Sequence, residues 1–266
     1  MLLALDIGNS SISVGIFDIS DADPMIISSF KISRKSYSAD EYSMLIKDFI
    51  SRTDPFNNLC TDCAVISSVV PELTDILSVA AYQICGSSPL IIDSGIRTGF
   101  SIRIKNPEQL GSDIVCNIAA ALHLSDPPFA ILDMGTATSL TVVNTNVEVI
   151  GTIIIPGLKV SMTALSDSAA LLNTVSLEYC DELIGRDTQS AIQSGVINGN
   201  VYMIDGFIRN IREKITAGTD NKLGLIATGG LAERIIPHTR NRFDYHENLT
   251  LYGLAYLYIK NRKNNK

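Results

Sequence analysis

Two short stretches of this chain end an apolar run on an aspartate and place a glycine two residues later. One reads LLALDIGNS, with Asp6, Gly8, Asn9 and Ser10; the other reads AILDMGTATS, with Asp133, Gly135 and Thr136. That spacing suits phosphate chemistry. A tight glycine turn between two strands points backbone N–H groups at an anion, while an acid at the strand end can hold a metal ion or orient a nucleophile. A single Asp-x-Gly is uninformative, because both residues populate turns everywhere. Two in matched contexts, one domain length apart, point to duplication. The chain contains no G-x-x-x-x-G-K-[ST] loop and no G-x-G-x-x-G. A bound ATP would therefore have to be held by these hairpins.

The elements around the two turns follow the same plan. Ile12, Val14 and Ile16 alternate after the first turn, as do Leu140 and Val142 after the second, which predicts a strand folded back on its predecessor in each half. A third strand is expected at Met25 to Ser33 and at Glu148 to Ile155. Ser38 and Glu41 form a capping box ahead of Tyr42, Leu45, Ile46, Phe49 and Ile50, predicting a helix over 39–52. A strand from Ala64 to Val70, a helix from Glu72 to Cys85 behind Pro71, and a short strand from Leu90 to Ile92 complete a β-β-β-α-β-α-β order. The second half predicts a helix after Gly157, one long helix from Thr188 to Ala217, a strand from Leu223 to Thr228 ending in Gly229 and Gly230, and a closing helix from Leu249 to Lys260. The linking segment, 96–124, predicts a helix that starts near Pro107, is capped by Asn106 and carries Asp113. Two such units, each opening on Asp-x-Gly, form the layout of the actin-like ATPase and sugar kinase superfold. The expected fold is α/β, with ribonuclease-H-like domains at 1–115 and 116–266 and a nucleotide cleft between them.

Composition removes other classes. The 266 residues are 46% hydrophobic and 18% charged, with 21 Lys+Arg against 28 Asp+Glu and a formal net charge of −7. The sequence pI of about 5.0 lies far below the pI above about 9 typical of nucleic-acid-binding domains. The longest apolar stretches, Cys63 to Pro71 and Ile150 to Leu158, are too short to span a bilayer. The opening MLLALDIGNS lacks the basic start and unbroken apolar run of a signal peptide, so a cytoplasmic protein with no nucleic-acid or membrane partner is expected. Five scattered cysteines do not form a disulfide framework. Cys60 and Cys63 make one C-x-x-C, but His123, His238 and His246 are far away in sequence, so reduced thiols beside a strand are expected rather than a zinc site.

Seven short motifs in order carry a resemblance that spans nearly the whole chain. They are D-I-G-N-S at Asp6 to Ser10, S-S-V-V-P at Ser67 to Pro71, N-P-E-x-x-G-S-D at Asn106 to Asp113, D-M-G-T-A-T at Asp133 to Thr138, I-x-P-G at Ile154 to Gly157, T-x-x-x-x-Q-S-G at Thr188 to Gly195, and A-T-G-G-L-A at Ala227 to Ala232. The sequence resembles the type III pantothenate kinases. The resemblance implies ATP-dependent phosphorylation of pantothenate to 4′-phosphopantothenate by a homodimer that uses magnesium and a monovalent cation, potassium or ammonium. It implies that Asp6 sits by the ATP phosphates with magnesium, that Gly8, Asn9 and Ser10 form the phosphate turn, and that Thr136 contacts ATP, with Gly229 and Gly230 giving the nucleotide close approach. Asp113 would be the general base that takes the proton of the substrate hydroxyl. Gly111, Ser112 and Thr188 would contact substrate, the last across the dimer interface, and Asp133 would hold the monovalent cation.

Four positions depart from the family pattern. Ile114 stands where the family usually has Arg, Ile104 where it has Tyr, Tyr37 where it has Arg, and Gly151 with Thr152 where it has a glycine pair. An Arg suits a carboxylate through a bidentate pair, which Ile cannot replace; Lys105, Lys159 and Arg186 are candidate substitutes. The losses fall in the expected pantothenate pocket and spare the Asp-x-Gly turns. An alternative therefore stands beside pantothenate phosphorylation: a diverged relative that binds nucleotide but phosphorylates another acceptor, such as pantetheine, or acts as a non-catalytic regulator. Residue by residue, Asp113 is either the base or a first-turn acid favoured by its helix dipole, Thr188 either touches substrate or caps its helix, and His123 reads as a core or edge histidine.

Overall fold

A computed structural model describes residues 1–53, 61–168, 177–179, 181–215 and 222–262. The chain forms two compact units. One gathers Met1–Gly99, Lys105–Leu124 and Asn248–Lys266; the other gathers Phe100–Ile104 and Ser125–Glu247.

In the first unit, β1 (Leu2–Ile7), β2 (Ser11–Asp18), β3 (Met25–Ser33), β4 (Cys63–Ser68) and β5 (Leu90–Ile91) form one sheet in the order β3-β2-β1-β4-β5. β1 pairs antiparallel with β2 and parallel with β4. β1 is central and apolar on both faces, so Leu2, Leu3, Ala4, Leu5 and Ile7 are all fully buried. α1 (Ala39–Thr53) starts as its sequence requires: the Glu41 carboxylate accepts from the Ser38 amide at 2.8 Å and the Ser38 hydroxyl at 2.9 Å. α2 (Pro71–Cys85) has proline in its first turn and closes on Gly86, whose left-handed φ of 70° lets its N–H reach the Tyr82 carbonyl at 2.8 Å. Tyr42, Ile46, Leu77, Ala80 and Ala81 of these helices pack on β1 and β4 residues in one core.

In the second unit, β6 (Ser101–Ile102), β7 (Phe129–Met134), β8 (Ala137–Val143), β9 (Glu148–Pro156), β10 (Gly224–Thr228) and β11 (Asp244–Tyr245) form a sheet in the order β11-β10-β7-β8-β9-β6. Without β6, this is the first sheet again. Each half also carries one register shift between its second and third strands, at Ile16/Phe17 and at Val142/Val143. β6 adds a parallel edge to β9, secured by an Arg103–Glu148 ion pair at 2.9 Å. Around the sheet lie α4 (Leu158–Ser168), α5 (Thr188–Gln193), α6 (Gly199–Ile215) and α7 (Ala232–Ile235). Val196, Ile197, Val201, Ile204 and Ile208 supply the helical side of the core.

Three expectations change. The linking helix, α3 (Ser112–Ala121), begins five residues after Pro107; Pro107–Gln109 is a separate 3-10 turn, and Asn106 makes no side-chain capping bond. The expected boundary at 115/116 falls inside α3. That helix belongs to the first unit because it packs on α8 (Leu249–Asn261), where Gly253 brings the two backbones so close that a Cβ would collide with the Cys116 carbonyl. Finally, the long helix predicted from Thr188 is broken by a π turn at Ser194–Asn198, and its expected end at Ala217 lies outside the described residues. Ser194, Asn198 and Asn200 are buried there, and their bonds compete with a regular ladder: Ser194 donates to the Leu183 carbonyl at 2.6 Å and Asn200 to the Val196 carbonyl at 2.7 Å.

Candidate active site

Pairing places the first aspartate. Asp6 lies one residue before the end of β1, opposite Ser13 on β2 and Ser67 on β4. The turn that follows is closed by the Gly8 amide donating to the Ser11 carbonyl at 3.0 Å, and it leaves Asn9 and Ser10 exposed. Arg34, just past β3, braces the same turn: its amide donates to the Ser10 carbonyl at 3.1 Å and its guanidinium to the Asn9 carbonyl at 3.3 Å. Sequence reasoning missed this cation. Nothing in its spacing ties Arg34 to the hairpin until β3 pairs with β2.

Asp113 comes to the same end of the sheet through its neighbour. The Ser112 hydroxyl accepts from the Ser68 amide at 3.0 Å, donates to the Ser68 carbonyl at 3.0 Å and lies 3.0 Å from the Ser67 hydroxyl. Ser68 in turn accepts from Thr74 of α2 at 2.7 Å and bonds the Val70 amide at 3.1 Å. These bonds join the S-S-V-V-P and G-S-D motifs into one knot. Gly111 precedes α3, and a Cβ on it would push the Asp113 carboxylate out of its position.

The Asp113 carboxylate sits in the first turn of α3. Burial raises its pKa above the ordinary value of 3.8, and a 2.8 Å bond from the Ile114 amide offsets this in part. Cys116, one turn further on, is fully buried. Burial pushes its thiol up, and the Asp6 and Asp113 carboxylates push it further. A carboxylate held partly out of water with an elevated pKa is a better proton acceptor than a free one. Asp6 supplies a second carboxylate beside exposed turn amides. Among the described residues, no group of three His, Cys, Asp or Glu side chains is placed to hold a metal ion. Magnesium taken with phosphates needs only one or two carboxylates, so this donor set fits it.

The second unit repeats the geometry. Asp133 lies one residue before the end of β7, opposite Ser139 on β8 and Thr228 on β10, so each aspartate is flanked by a hydroxyl residue on both sides. The Gly135 amide donates to the Ala137 carbonyl at 3.0 Å, and Gly135 and Thr136 stand exposed in the turn. Gly157 explains the I-x-P-G motif. Its amide donates to the Thr136 carbonyl at 3.2 Å, and a Cβ there would meet the Gly135 carbonyl oxygen at 2.7 Å. Behind the turn, the buried Thr138 hydroxyl has no hydrogen-bond partner among the described residues. Gly229 has φ of 92°, and a Cβ on it would lie 2.6 Å from the Met134 backbone, so its lack of a side chain serves chain packing. Around Gly230 a Cβ would meet nothing within 4 Å, which leaves that position open to a ligand.

Thr188 is the first residue of α5 and exposed, but it is not the cap. Asp187 caps instead, accepting from the Ser190 amide at 2.9 Å while Ser190 answers at the Asp187 amide at 3.2 Å. Of the departing positions, Tyr37 packs edge-on against Tyr42 with ring centres 5.4 Å apart, and Thr152 bonds Thr141 at 3.1 Å. Lys105, Lys159 and Arg186 are all exposed. Cys63, Cys85 and Cys116 are free thiols; burial pushes Cys85 up to about 12 and raises the other two, so none is primed as a thiolate. Cys60 lies outside the described residues. His123 stacks flat on Tyr256 at 3.6 Å, an edge histidine as expected.

A doubled sheet of this order, each copy opening on an Asp-x-Gly turn, defines the actin-like ATPase and sugar kinase class. Solved structures agree on the fold. The ethanolamine utilization protein EutJ of Carboxydothermus hydrogenoformans superposes with a TM-score of 0.52 at 13% identity, covering 96% of this chain and 89% of that one. A Baf family protein of Campylobacter jejuni gives 0.57 at 19% identity, covering 97% of each. Within that class, the chain belongs to the type III pantothenate kinase family, whose family model matches residues 2–210. A type III pantothenate kinase of Agathobacter rectalis is 35% identical over 265 residues, 99% of each chain. One of Geotalea uraniireducens is 36% identical over 264 residues, 99% of this chain and 100% of that one.

Proposed function

We propose that this protein transfers the γ-phosphoryl group of ATP to the primary hydroxyl of pantothenate, giving 4′-phosphopantothenate for coenzyme A synthesis. The observation that carries the mechanism is the Ser67–Ser112 bond at 3.0 Å, which ties the first residue of α3 to the β4 partner of Asp6, with Asp113 next in α3 and partly desolvated. In this reading the Asp113 carboxylate takes the hydroxyl proton as the oxygen attacks phosphorus and ADP leaves. The Gly8, Asn9 and Ser10 turn, braced by Arg34, cradles the phosphates, and Thr136, Gly229 and Gly230 contact the nucleotide. Magnesium, when bound, would neutralise developing phosphate charge, with Asp6 as its protein ligand. Gly111, Ser112 and Thr188 position the acceptor, and Asp133 holds potassium or ammonium. Phosphoryl transfer asks little more of a protein than such positioning and charge.

The same reading makes the enzyme a cytoplasmic homodimer with no nucleic-acid or membrane partner. Its net charge of −7 supports the first exclusion. For the second, no helix among the described residues is long and apolar enough to cross a membrane. One residue favours the alternative of another acceptor: Ile114 sits next to Asp113 and offers a carboxylate nothing. ATP consumption with magnesium and potassium, compared for pantothenate, pantetheine and no acceptor, separates the two. Turnover with pantothenate is the expected result; turnover with pantetheine alone would transfer the assignment to a different acceptor, and none with either would remove the kinase reading.

A further inference from the structure

Along one side of α6, Tyr202, Asp205, Gly206, Arg209 and Arg212 follow at helical spacing, and with Arg240 and Asn241 they line a concavity of about 370 Å3. All seven belong to the second unit, and none has a part in the phosphoryl-transfer site described above. The size lies within the range of small-molecule sites, roughly 300–1,000 Å3.

Charge in this concavity is unbalanced. Its single acid, Asp205, is already engaged: its carboxylate accepts from the Arg240 amide at 3.0 and 3.1 Å and from the Asn241 side-chain amide at 2.7 Å. Those bonds fasten the 240–241 segment to α6. The Asn241 side-chain oxygen in turn accepts from the Arg212 guanidinium at 3.1 Å. The Arg209 and Arg240 guanidinium groups make no hydrogen bond or ion pair among the described residues. A chain of net charge −7 thus gathers three arginines against one aspartate around one hollow, with the aspartate's oxygens taken up by amides of the 240–241 segment.

Gly206 is a second, independent feature. Glycine inside a helix is disfavoured relative to alanine, and here no neighbour forbids a side chain, since a Cβ on Gly206 would meet nothing within 4 Å. The bare backbone leaves that part of the lining open. Tyr202, 53% exposed, also lines the hollow and offers a flat apolar face.

We propose that this concavity binds a phosphate-bearing small molecule, with the guanidinium groups of Arg209, Arg212 and Arg240 on the phosphate oxygens and Tyr202 against the organic part. Planar guanidinium forks match phosphate oxygens in pairs, and Arg209 and Arg240 bring theirs with no protein partner among the described residues. A second copy of the chain is a poorer occupant, because a two-fold contact on this face would set arginine against arginine.

Pyrophosphate is the probe, titrated calorimetrically at fixed ionic strength without magnesium, ATP or acceptor, so that the result does not depend on kinase activity. The wild type is expected to bind it, and Asp6→Asn to bind it equally. Arg209→Ala/Arg240→Ala should weaken binding about tenfold or more. So should Gly206→Leu, which keeps every charge but puts a bulky side chain into the lining. Arg209→Lys/Arg240→Lys keeps charge without the forks and gives an intermediate affinity. Affinity unchanged in the Ala pair and in Gly206→Leu, or lost only in Asp6→Asn, would overturn the site. A change of oligomeric state in these variants with no change in pyrophosphate affinity would overturn it in favour of a contact between copies.

Discussion

Gly157 offers the sharpest test of how the second turn is held. A methyl group on it would lie 2.7 Å from the Gly135 carbonyl oxygen and 2.9 Å from the Thr136 carbonyl carbon, where ordinary van der Waals contact begins near 3.4 Å. The Thr136 carbonyl oxygen would be closer still, so the turn must retreat by about 1 Å or β9 must bend away. The Gly157 amide bond to Thr136, 3.2 Å long, is already near its limit and would break. Overpacking of this kind costs about 1–3 kcal/mol, and a shift approaching 1 Å in a positioning element costs up to about a hundredfold in rate. Gly157→Ala is thus expected to remain folded, to melt a few degrees lower, and to lose about tenfold to a hundredfold in kcat for ATP-dependent pantothenate phosphorylation. Gly199→Ala is the matched control: the same methyl meets nothing within 4 Å at the start of α6 and should leave kcat unchanged. Wild-type kcat in Gly157→Ala, or an equal loss in both variants, would refute the claim that this glycine seats the Thr136 turn.

Other outcomes follow from the same geometry. Asp113→Asn should remove turnover while leaving nucleotide binding intact; its burial raises the folded pKa above 3.8, so the variant should also melt higher than wild type at neutral pH, a difference that disappears on acidification below that value. For the same reason the acid limb of the wild-type kcat/KM profile should fall above the ordinary aspartate range, and a limb near 3.8 would count against Asp113 as the base. Replacing potassium by sodium should lower wild-type activity and leave Asp133→Ala, already slow, indifferent to the exchange; equal rates of the wild type in both salts would dismiss the cation site. Ile114→Arg should lower KM for pantothenate by about tenfold with kcat little changed, and an unchanged KM would mean that another group already meets the carboxylate.

Much of the fold was legible because local rules and the global structure agree. Ser38 and Glu41 announced α1, and their bonds are present; Pro71 announced α2; the alternation after Asp6 and Asp133 announced both hairpins. Where sequence failed, a local signal was overruled by a distant partner. Asn106-Pro107 has the look of a helix start, yet α3 waits until Ser112 because Ser112 must bond Ser67 and Ser68 of a strand that precedes it by more than forty residues. The apolar pattern from Thr188 reads as one helix, but buried Ser194, Asn198 and Asn200 open it into a π turn. The two-residue strand β6 carries too few residues for any pattern, and exists because β9 offers it an edge.

The candidate site divides along the same line. Residue type and spacing alone identified Asp6, Asp133 and their glycine turns, because an acid, a tight turn and a following strand are local features that repeat within one stretch of chain. Only tertiary structure could give Asp113 its raised pKa, bring Ser112 to the β4 partner of Asp6, bring Arg34 under the first turn, or set Gly229 against the Met134 backbone. Burial, pairing and close approach are relations between residues far apart in the chain, and they come into being only when the sheets close.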